Sequence, residues 1–406
     1  MTATIGTSTE RLDVERARRE TPGCREVNHL NNAGAALMPA VVLERTITHL
    51  RLEGRIGGYE AAAREEQRLE AVYSSAARLL GARSDEIAVV DSATRAWTMA
   101  CYAIPFWPGD RILTSAAEYA SNFIAYLQLA ERHDLSVEVV PNDETGQLSV
   151  AALRNLLDDR VRLISLTHVP TNGGLVNPAA EVGAVAREAG VLYLLDACQS
   201  GGQLPLDVDE IGCDLLSVTG RKYLRGPRGT GLLYVRESVL DRLLPPMLDL
   251  HSAQWVSRDR YELRPDARRF ETWESNIAAR LGLGAAIDYA LGWGLPVIRD
   301  RISGLAADLR GQLAELPGVR VRDVGAQQCG IVTFTVADMP AQQVKDLLAQ
   351  HGINVSVSRT PSTRLDMEHR GLDELVRASV HYYNTADELR SLCRVLQGST
   401  GYRRTT

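Results

Sequence analysis

The stretch Leu194–Val235, LLDACQSGGQLPLDVDEIGCDLLSVTGRKYLRGPRGTGLLYV, decides the architecture. It carries most of three strand candidates, VLYLLD from Val191, DLLSVT from Asp214 and GLLYV from Gly231, whose near-continuous apolarity suits strands covered on both faces. Four similar runs lie upstream: IAVV at Ile87, RILT at Arg111, SVEVV at Ser136 and VRLISLT at Val161. Amphipathic stretches separate them, as successive βα units require, so an α/β fold with a mainly parallel seven-stranded sheet is expected. The helix before VLYLLD has the clearest punctuation. Asn177 is placed to cap it, Pro178 to occupy its first turn and Gly190 to end it.

After Asn276 the pattern changes. GLGAAIDYAL and LPVIRDRISGLAADLRGQLAEL read as helices, followed by strand-like VRVRD and GIVTFTVA, a helix at PAQQVKDLLAQHG, then INVSVS and VRASVHYY. That order predicts a smaller α+β domain at 276–406, joined by the N-terminal arm 1–29 and packed on a large domain at 30–275. A chain of 406 residues is too long for one compact core, which agrees with two domains.

The charge of −6 and pI near 5.8 argue against a nucleic-acid partner, because sequence-independent affinity for phosphate backbones comes from clustered Lys and Arg. The first residues, MTATIGTSTERLDVERARRE, lack an apolar signal core, and no run is long and apolar enough for a membrane span, so a cytoplasmic enzyme without a membrane partner is expected. Cys24, Cys101, Cys198, Cys213, Cys329 and Cys393 are scattered without CxxC or close Cys/His spacing, so reduced thiols and no metal site are expected.

Ligands of open α/β sheets sit beyond the carboxyl ends of the strands, and three such ends carry suggestive groups. After IAVV, Asp91-Ser92-Ala93-Thr94-Arg95 opens a helix whose free amides suit a phosphate, although an ordinary Ser or Thr cap reads the same way. After VLYLLD, Asp196 ends an apolar strand, where burial calls for something positive, a structural arginine included. After DLLSVT, Lys222 precedes a glycine-rich turn; taken alone it reads more readily as a solvated surface lysine than as an amine activated by a lowered pKa. Gly226-Pro227-Arg228-Gly229-Thr230-Gly231 fits neither GxxxxGK[ST] nor GxGxxG, which disfavours nucleotide loops.

Together these residues resemble the class V aminotransferase group of pyridoxal-5′-phosphate (PLP) enzymes, which have the type I aspartate-aminotransferase fold and include cysteine desulfurases and C–S lyases. The resemblance runs from Leu30 to about Leu396. It implies Lys222 as the Schiff-base lysine, Asp196 as partner of the pyridine nitrogen and Gln199 at the ring oxygen. It implies Ala93, Thr94 and Arg95 at the helix start, with Thr219 and Arg221 on the lysine turn, as the phosphate grip; Arg221 stands where desulfurases have histidine. In Ala117-Glu118-Tyr119-Ala120-Ser121-Asn122 it implies Tyr119 as the aromatic over the ring, again in place of histidine. A phenol is a poorer proton shuttle than imidazole near neutrality, which leaves more of the acid/base work to Lys222. Thr171 and Asn172, in the loop His168–Gly174, fall in cofactor and substrate contact, while His168 by itself reads as a core histidine.

The same resemblance makes Arg377, in VRASVHYYNT, the arginine for the substrate carboxylate, under a loop containing Asn32 and Ala33. It also implies a homodimer whose site lies near the interface, with the segment Arg268–Asn276 crossing it, although Glu274 occupies a column where relatives carry threonine. The region from Gly352 to Val376 contains no cysteine, so the sulfur-accepting thiol of desulfurases is missing. Thr360-Pro361-Ser362-Thr363-Arg364-Leu365-Asp366-Met367 instead resembles the ergothioneine-pathway (hercynylcysteine sulfoxide) C–S lyases and lincosamide-pathway enzymes acting on cysteine S-conjugates, with Arg364 facing a second polar part of the substrate. The expected reaction is β-elimination from an L-cysteine S-conjugate, giving a sulfur product, pyruvate and ammonia. The alternatives on the same cofactor are decarboxylation with oxidative deamination, epimerisation and transamination. A binding or regulatory module that has kept the fold is the reading from a different class.

Overall fold

A computed structural model of the protein describes residues 12–401; residues 1–11 of the N-terminal arm and 402–406 lie outside the described residues. All seven sequence candidates form one sheet: β1 (Ile87–Val90), β2 (Arg111–Ser115), β3 (Ser136–Val140), β4 (Val161–Thr167), β5 (Leu192–Asp196), β6 (Leu215–Thr219) and β7 (Gly231–Val235), in the order β1-β7-β6-β5-β4-β2-β3. Both faces are covered. Leu194 and Leu215 join one apolar cluster while their neighbours Leu195 and Leu216 join the other, which is why these strands read as continuous rather than alternating.

The sheet is mixed: β7 runs antiparallel to both β6 and β1. The physical reason is the connection. Only Gly220 to Thr230 separates the two strands, with no helix between them, whereas a parallel return needs a crossover of about a dozen residues or more. The consequence is that the lysine turn starts and ends at the same sheet edge where β1, β2, β4, β5 and β6 finish. Gly231 then presses that edge together, since a Cβ there would lie 2.5 Å from the Ser92 carbonyl carbon and 2.8 Å from the Ala93 nitrogen.

Helix α1 (Ala93–Tyr102) follows β1, α2 (Ala120–His133) follows β2 and α3 (Ala179–Ala189) precedes β5. Asn177 does not cap α3. Pro178 holds the N-cap position, and the buried Asn177 donates to the Thr167 carbonyl and accepts from the Leu148 amide, joining two chain segments instead. Gly190 ends that helix in the left-handed conformation, as expected.

Beyond the sheet lie α4 (Ile277–Trp293) and α5 (Leu295–Ala314), then a four-stranded antiparallel sheet of β8 (Val319–Val321), β9 (Ile331–Val336), β10 (Ser356–Arg359) and β11 (Glu374–Ser379), ordered β8-β9-β11-β10. The N-terminal segment is tied here: Asn28–His29 pairs with Ile353–Asn354, and Arg18 bridges Glu388 at 2.9 Å. Among the described residues no single helix is long and apolar enough to cross a membrane.

Asn276 caps α4 by accepting the Ala279 amide at 2.9 Å. Asn276→Ala is expected to cost about 1 kcal/mol of stability. Urea titration checks this; an unchanged midpoint would assign the cap no energetic role.

Candidate active site

The carboxyl-end edge of the large sheet opens into a pocket with about 590 Å³ of empty space, part of it open to solvent. Of the sequence candidates, Ala93, Thr94, Tyr119, Thr171, Asp196, Gln199, Thr219, Arg221 and Lys222 line it. Each comes from a strand end or the turn after it, so the sheet register alone brings together residues far apart in sequence.

Lys222 Nζ lies 3.3 Å from Cys198 Sγ and forms no ion pair among the described residues. Burial, first of all, pushes its pKa below the usual lysine value, and the nearby Arg221 and Arg377 act in the same direction. The result is an amine easier to deprotonate than a surface lysine, as a nucleophile or base requires. Asp196, 6% exposed, accepts from the Cys198 amide through Oδ1 and from Asn122 Nδ2 through Oδ2, both at 2.9 Å. It too has no ion pair among the described residues; the structural arginine that its burial allowed is not there.

At the other end of the pocket Ser92 caps α1 by accepting the Arg95 amide, and Thr94, Thr219 and Arg221 surround that helix start. The ordinary cap is present, and the helix start faces the pocket. Arg221 also donates to the Gly34 carbonyl, which draws the 31–34 loop over the lysine turn. Gln199 spends Nε2 on the Ala33 carbonyl, while its buried Oε1 has no protein partner.

The remaining candidates stand outside the pocket wall. Arg377 is 7% exposed; one Nη donates to both oxygens of Thr171, its Nε has no partner, and no carboxylate pairs with it among the described residues. Asn32 anchors the loop, donating to the Ser379 carbonyl and accepting from the Tyr383 hydroxyl, and the Ala33 amide donates to Ser379 Oγ. Asn172 binds Thr363 Oγ1 at 2.8 Å, joining its loop to the 360–363 turn. The Arg95 guanidinium reaches Met247 Sδ. Arg364 pairs with Glu368 on the surface and lines a separate apolar groove, with about 690 Å³ of empty space partly open to solvent, together with Phe123, Ile124, Leu127, Pro361 and Leu365.

Sequence reasoning missed Ser92, Asn122, Thr167, Val169 and Cys198 as pocket residues. The available signal was that Thr167 and Cys198 sit at strand ends and that Asn122 follows Glu118 by one helical turn. His168 is buried, with its pKa lowered to about 4 by burial and no partner on Nδ1, which makes it a neutral core histidine. Its folded pKa lies below the 6.5 of the free residue, so the unfolded chain takes up the proton first as pH falls. Stability is therefore unaffected above about 6.5 and lost below it, at about 1.4 kcal/mol per pH unit down to the folded value. Between pH 7 and 5 the apoprotein should lose about 2 kcal/mol more than His168→Gln. Equal losses in urea titrations would overturn this assignment.

The sequence matches the aminotransferase class-V family over residues 28–392. It is 32% identical to a probable cysteine desulfurase of Methanothermobacter thermautotrophicus, covering 96% of this chain and 99% of that one, and 31% identical to a cysteine desulfurase of Serratia proteamaculans, covering 95% and 97%. Among solved structures, the apo cysteine desulfurase of Thermococcus onnurineus superposes with a TM-score of 0.89 at 26% identity over 99% of this chain and 100% of that one. The cystine C–S lyase C-DES, in complex with its product cysteine persulfide, superposes with a TM-score of 0.84 at 25% identity over 93% and 99%; another C-DES structure holds glycine covalently linked to its PLP cofactor. The chain belongs to the aminotransferase class-V family and is a PLP-dependent enzyme of type I fold, desulfurase-like in its relatives.

The residues present fit that cofactor. An unpaired buried carboxylate suits a protonated pyridine nitrogen, the unpartnered Gln199 oxygen suits a polar ring substituent, and the Ser92–Thr94 turn with Arg221 suits a phosphate.

Proposed function

We propose that this enzyme is a C–S lyase that eliminates the sulfur group from an L-cysteine S-conjugate, leaving pyruvate and ammonia. The observation that carries the reading is three buried or half-buried charged groups without ion pairs to one another or to other described residues: Lys222 and Asp196 in the pocket, and Arg377 just behind its wall, on Thr171. Buried charges of this kind are costly unless partners arrive with a ligand.

When bound, the cofactor supplies an electron sink for the bond broken at the substrate Cα. Asp196 holds a proton on the ring nitrogen, which keeps that sink strong. Thr94, Thr219, Arg221 and the amides at the start of α1 hold the phosphate, with Ala93 and Arg95 on the same turn. Lys222 anchors the cofactor and, once free, takes the Cα proton. Tyr119 covers the ring. Arg377 grips the substrate carboxylate and so fixes which Cα bond is aligned for cleavage. Thr171, Asn172, Asn32 and Ala33 shape the wall and loop around it.

The absence of cysteine between Gly352 and Val376 supports elimination to a released sulfur product over transfer to an enzyme thiol. The turn Thr360–Met367, with Arg364 beside the apolar groove, supports a conjugate larger than cysteine, of the kind processed by ergothioneine- and lincosamide-pathway enzymes. Incubation of holoenzyme with a panel of cysteine S-conjugates should release pyruvate and ammonia in equal amounts. Mass spectrometry that finds only epimer, amine or keto acid with the sulfur retained would replace elimination by one of the other outcomes.

The same reading includes a homodimer in the cytoplasm, a large domain at 30–275 and a small one at 276–406 with the N-terminal arm. The exposed Met247, Leu250, Trp255, Tyr261 and Trp273 support an interface on the 247–276 face, where Glu274 also lies. Sedimentation should give twice the chain mass; an active monomer would contradict it.

A further inference from the structure

We propose that Glu118 is a positioning residue of this site, orienting the Asn122 amide so that it holds Asp196 against the ring nitrogen of the cofactor. The inference rests on the role given to Asp196 above. Glu118 immediately precedes Tyr119, the N-cap of α2, and Asn122 lies in that helix's first turn, both side chains being buried. Asn122 Nδ2 stands 3.0 Å from Glu118 Oε1 and 2.9 Å from Asp196 Oδ2. An amide nitrogen carries two hydrogens, so one serves each carboxylate.

The surroundings of Glu118 make this arrangement one-way. Its Oε1 also accepts from Thr167 Oγ1 and from the Tyr119 amide at 2.7 Å, and its Oε2 accepts from Thr114 Oγ1 at 2.9 Å and the Tyr126 hydroxyl at 3.4 Å. Burial pushes the carboxyl up, with Asp196 adding to the rise, while Thr167, Tyr119 and Asn122 pull it back by donating to the ionised form. A carboxylate facing only donors cannot tolerate the oxygen end of the Asn122 amide. Glu118 therefore selects the rotamer that gives Asp196 its second hydrogen bond. Through the Tyr119 amide the same oxygen also fixes the backbone of the residue that covers the ring. A side chain that lines no part of the pocket thus ties together two that do.

Glu118→Leu removes both acceptor oxygens and with them the selection of the Asn122 rotamer. Asn122→Leu removes the bridge while leaving Glu118 in place, and Thr114→Val removes a bond from the far oxygen of Glu118 without touching the bridge. Two quantities are read on refolded, melt-checked protein: the dissociation constant of PLP by absorbance titration, and the resonance of ring-15N-labelled PLP bound in the holoenzyme. E118L and N122L should each weaken PLP by about tenfold or more and move the ring nitrogen toward its deprotonated position, with T114V within about twofold of wild type in affinity and unshifted. The proposal fails if E118L and N122L keep wild-type affinity and resonance, or if T114V is damaged as much as they are, which is what a purely structural role would give. If E118L does not fold, the comparison of N122L with T114V decides alone. D196N separates the two levels: should it leave the ring resonance unmoved, the role of Asp196 itself falls, whatever Glu118 does.

Discussion

Lys222→Ala is expected to give a folded protein without the yellow colour of bound cofactor and with turnover reduced by roughly ten-thousand-fold. Two losses combine. The covalent anchor disappears, so PLP is retained only through Asp196, Gln199 and the phosphate turn, and the base for the Cα proton disappears with it. General-base removal alone is worth about a hundred- to ten-thousand-fold. The fold should survive, because among the described residues the one hydrogen bond of Lys222 Nζ is to Cys198 Sγ and the ammonium is itself disfavoured by burial. Borohydride reduction of the wild type, followed by digestion, should place the cofactor's mass on the peptide carrying Lys222. A coloured, active Lys222→Ala protein, or a label on another lysine, would remove the central assignment of the site.

Lys222 was singled out by combination, since a lysine shortly after an apolar strand and before a glycine-rich turn suits a surface residue until Asp196 and the other strand ends are read with it. Most of the sheet strands were legible because burial on both faces leaves them nearly continuously apolar, as at Leu215 and Leu216, while the part-buried edge strand Ser136–Val140 was legible from its β-branched residues. The direction of β7 needed one more step, the shortness of the 220–230 connection. The helix Ala40–Ile56 went unread because only Val42 and His49 of its residues are fully buried, so it lacks a continuous apolar stripe. Asn177 misled because a capping residue and a buried cross-linking asparagine look alike until their partners are placed. The roles of Glu118, Asn122 and Cys198 were hidden for the same reason. Each depends on contacts between chain segments far apart in sequence, with α2 meeting β5 and the lysine turn meeting the strand end before it.

Arg377→Ala should damage substrate use far more than cofactor binding. Its guanidinium is buried on β11, its hydrogen bonds among the described residues go to the oxygens of Thr171, and burial already lowers its pKa. A charged group held at this cost without a carboxylate is consistent with one that the substrate brings. Losing a charge-assisted, bidentate contact of this kind costs roughly 2–4 kcal/mol, hence about thirty-fold to nearly a thousand-fold in kcat/KM. PLP affinity and colour should stay near wild type, because Lys222, Asp196 and the phosphate turn are untouched. The apoprotein should be at least as stable, since the variant removes an uncompensated buried charge rather than breaking a pair. Arg377→Lys restores charge but not the planar fork, so it should recover only part of kcat/KM. The assignment is falsified if Arg377→Ala keeps wild-type kcat/KM, or if its defect is loss of PLP alone. A fall in kcat/KM with no rescue by lysine and a large drop in apoprotein stability would instead mean that Arg377 supports the fold through Thr171.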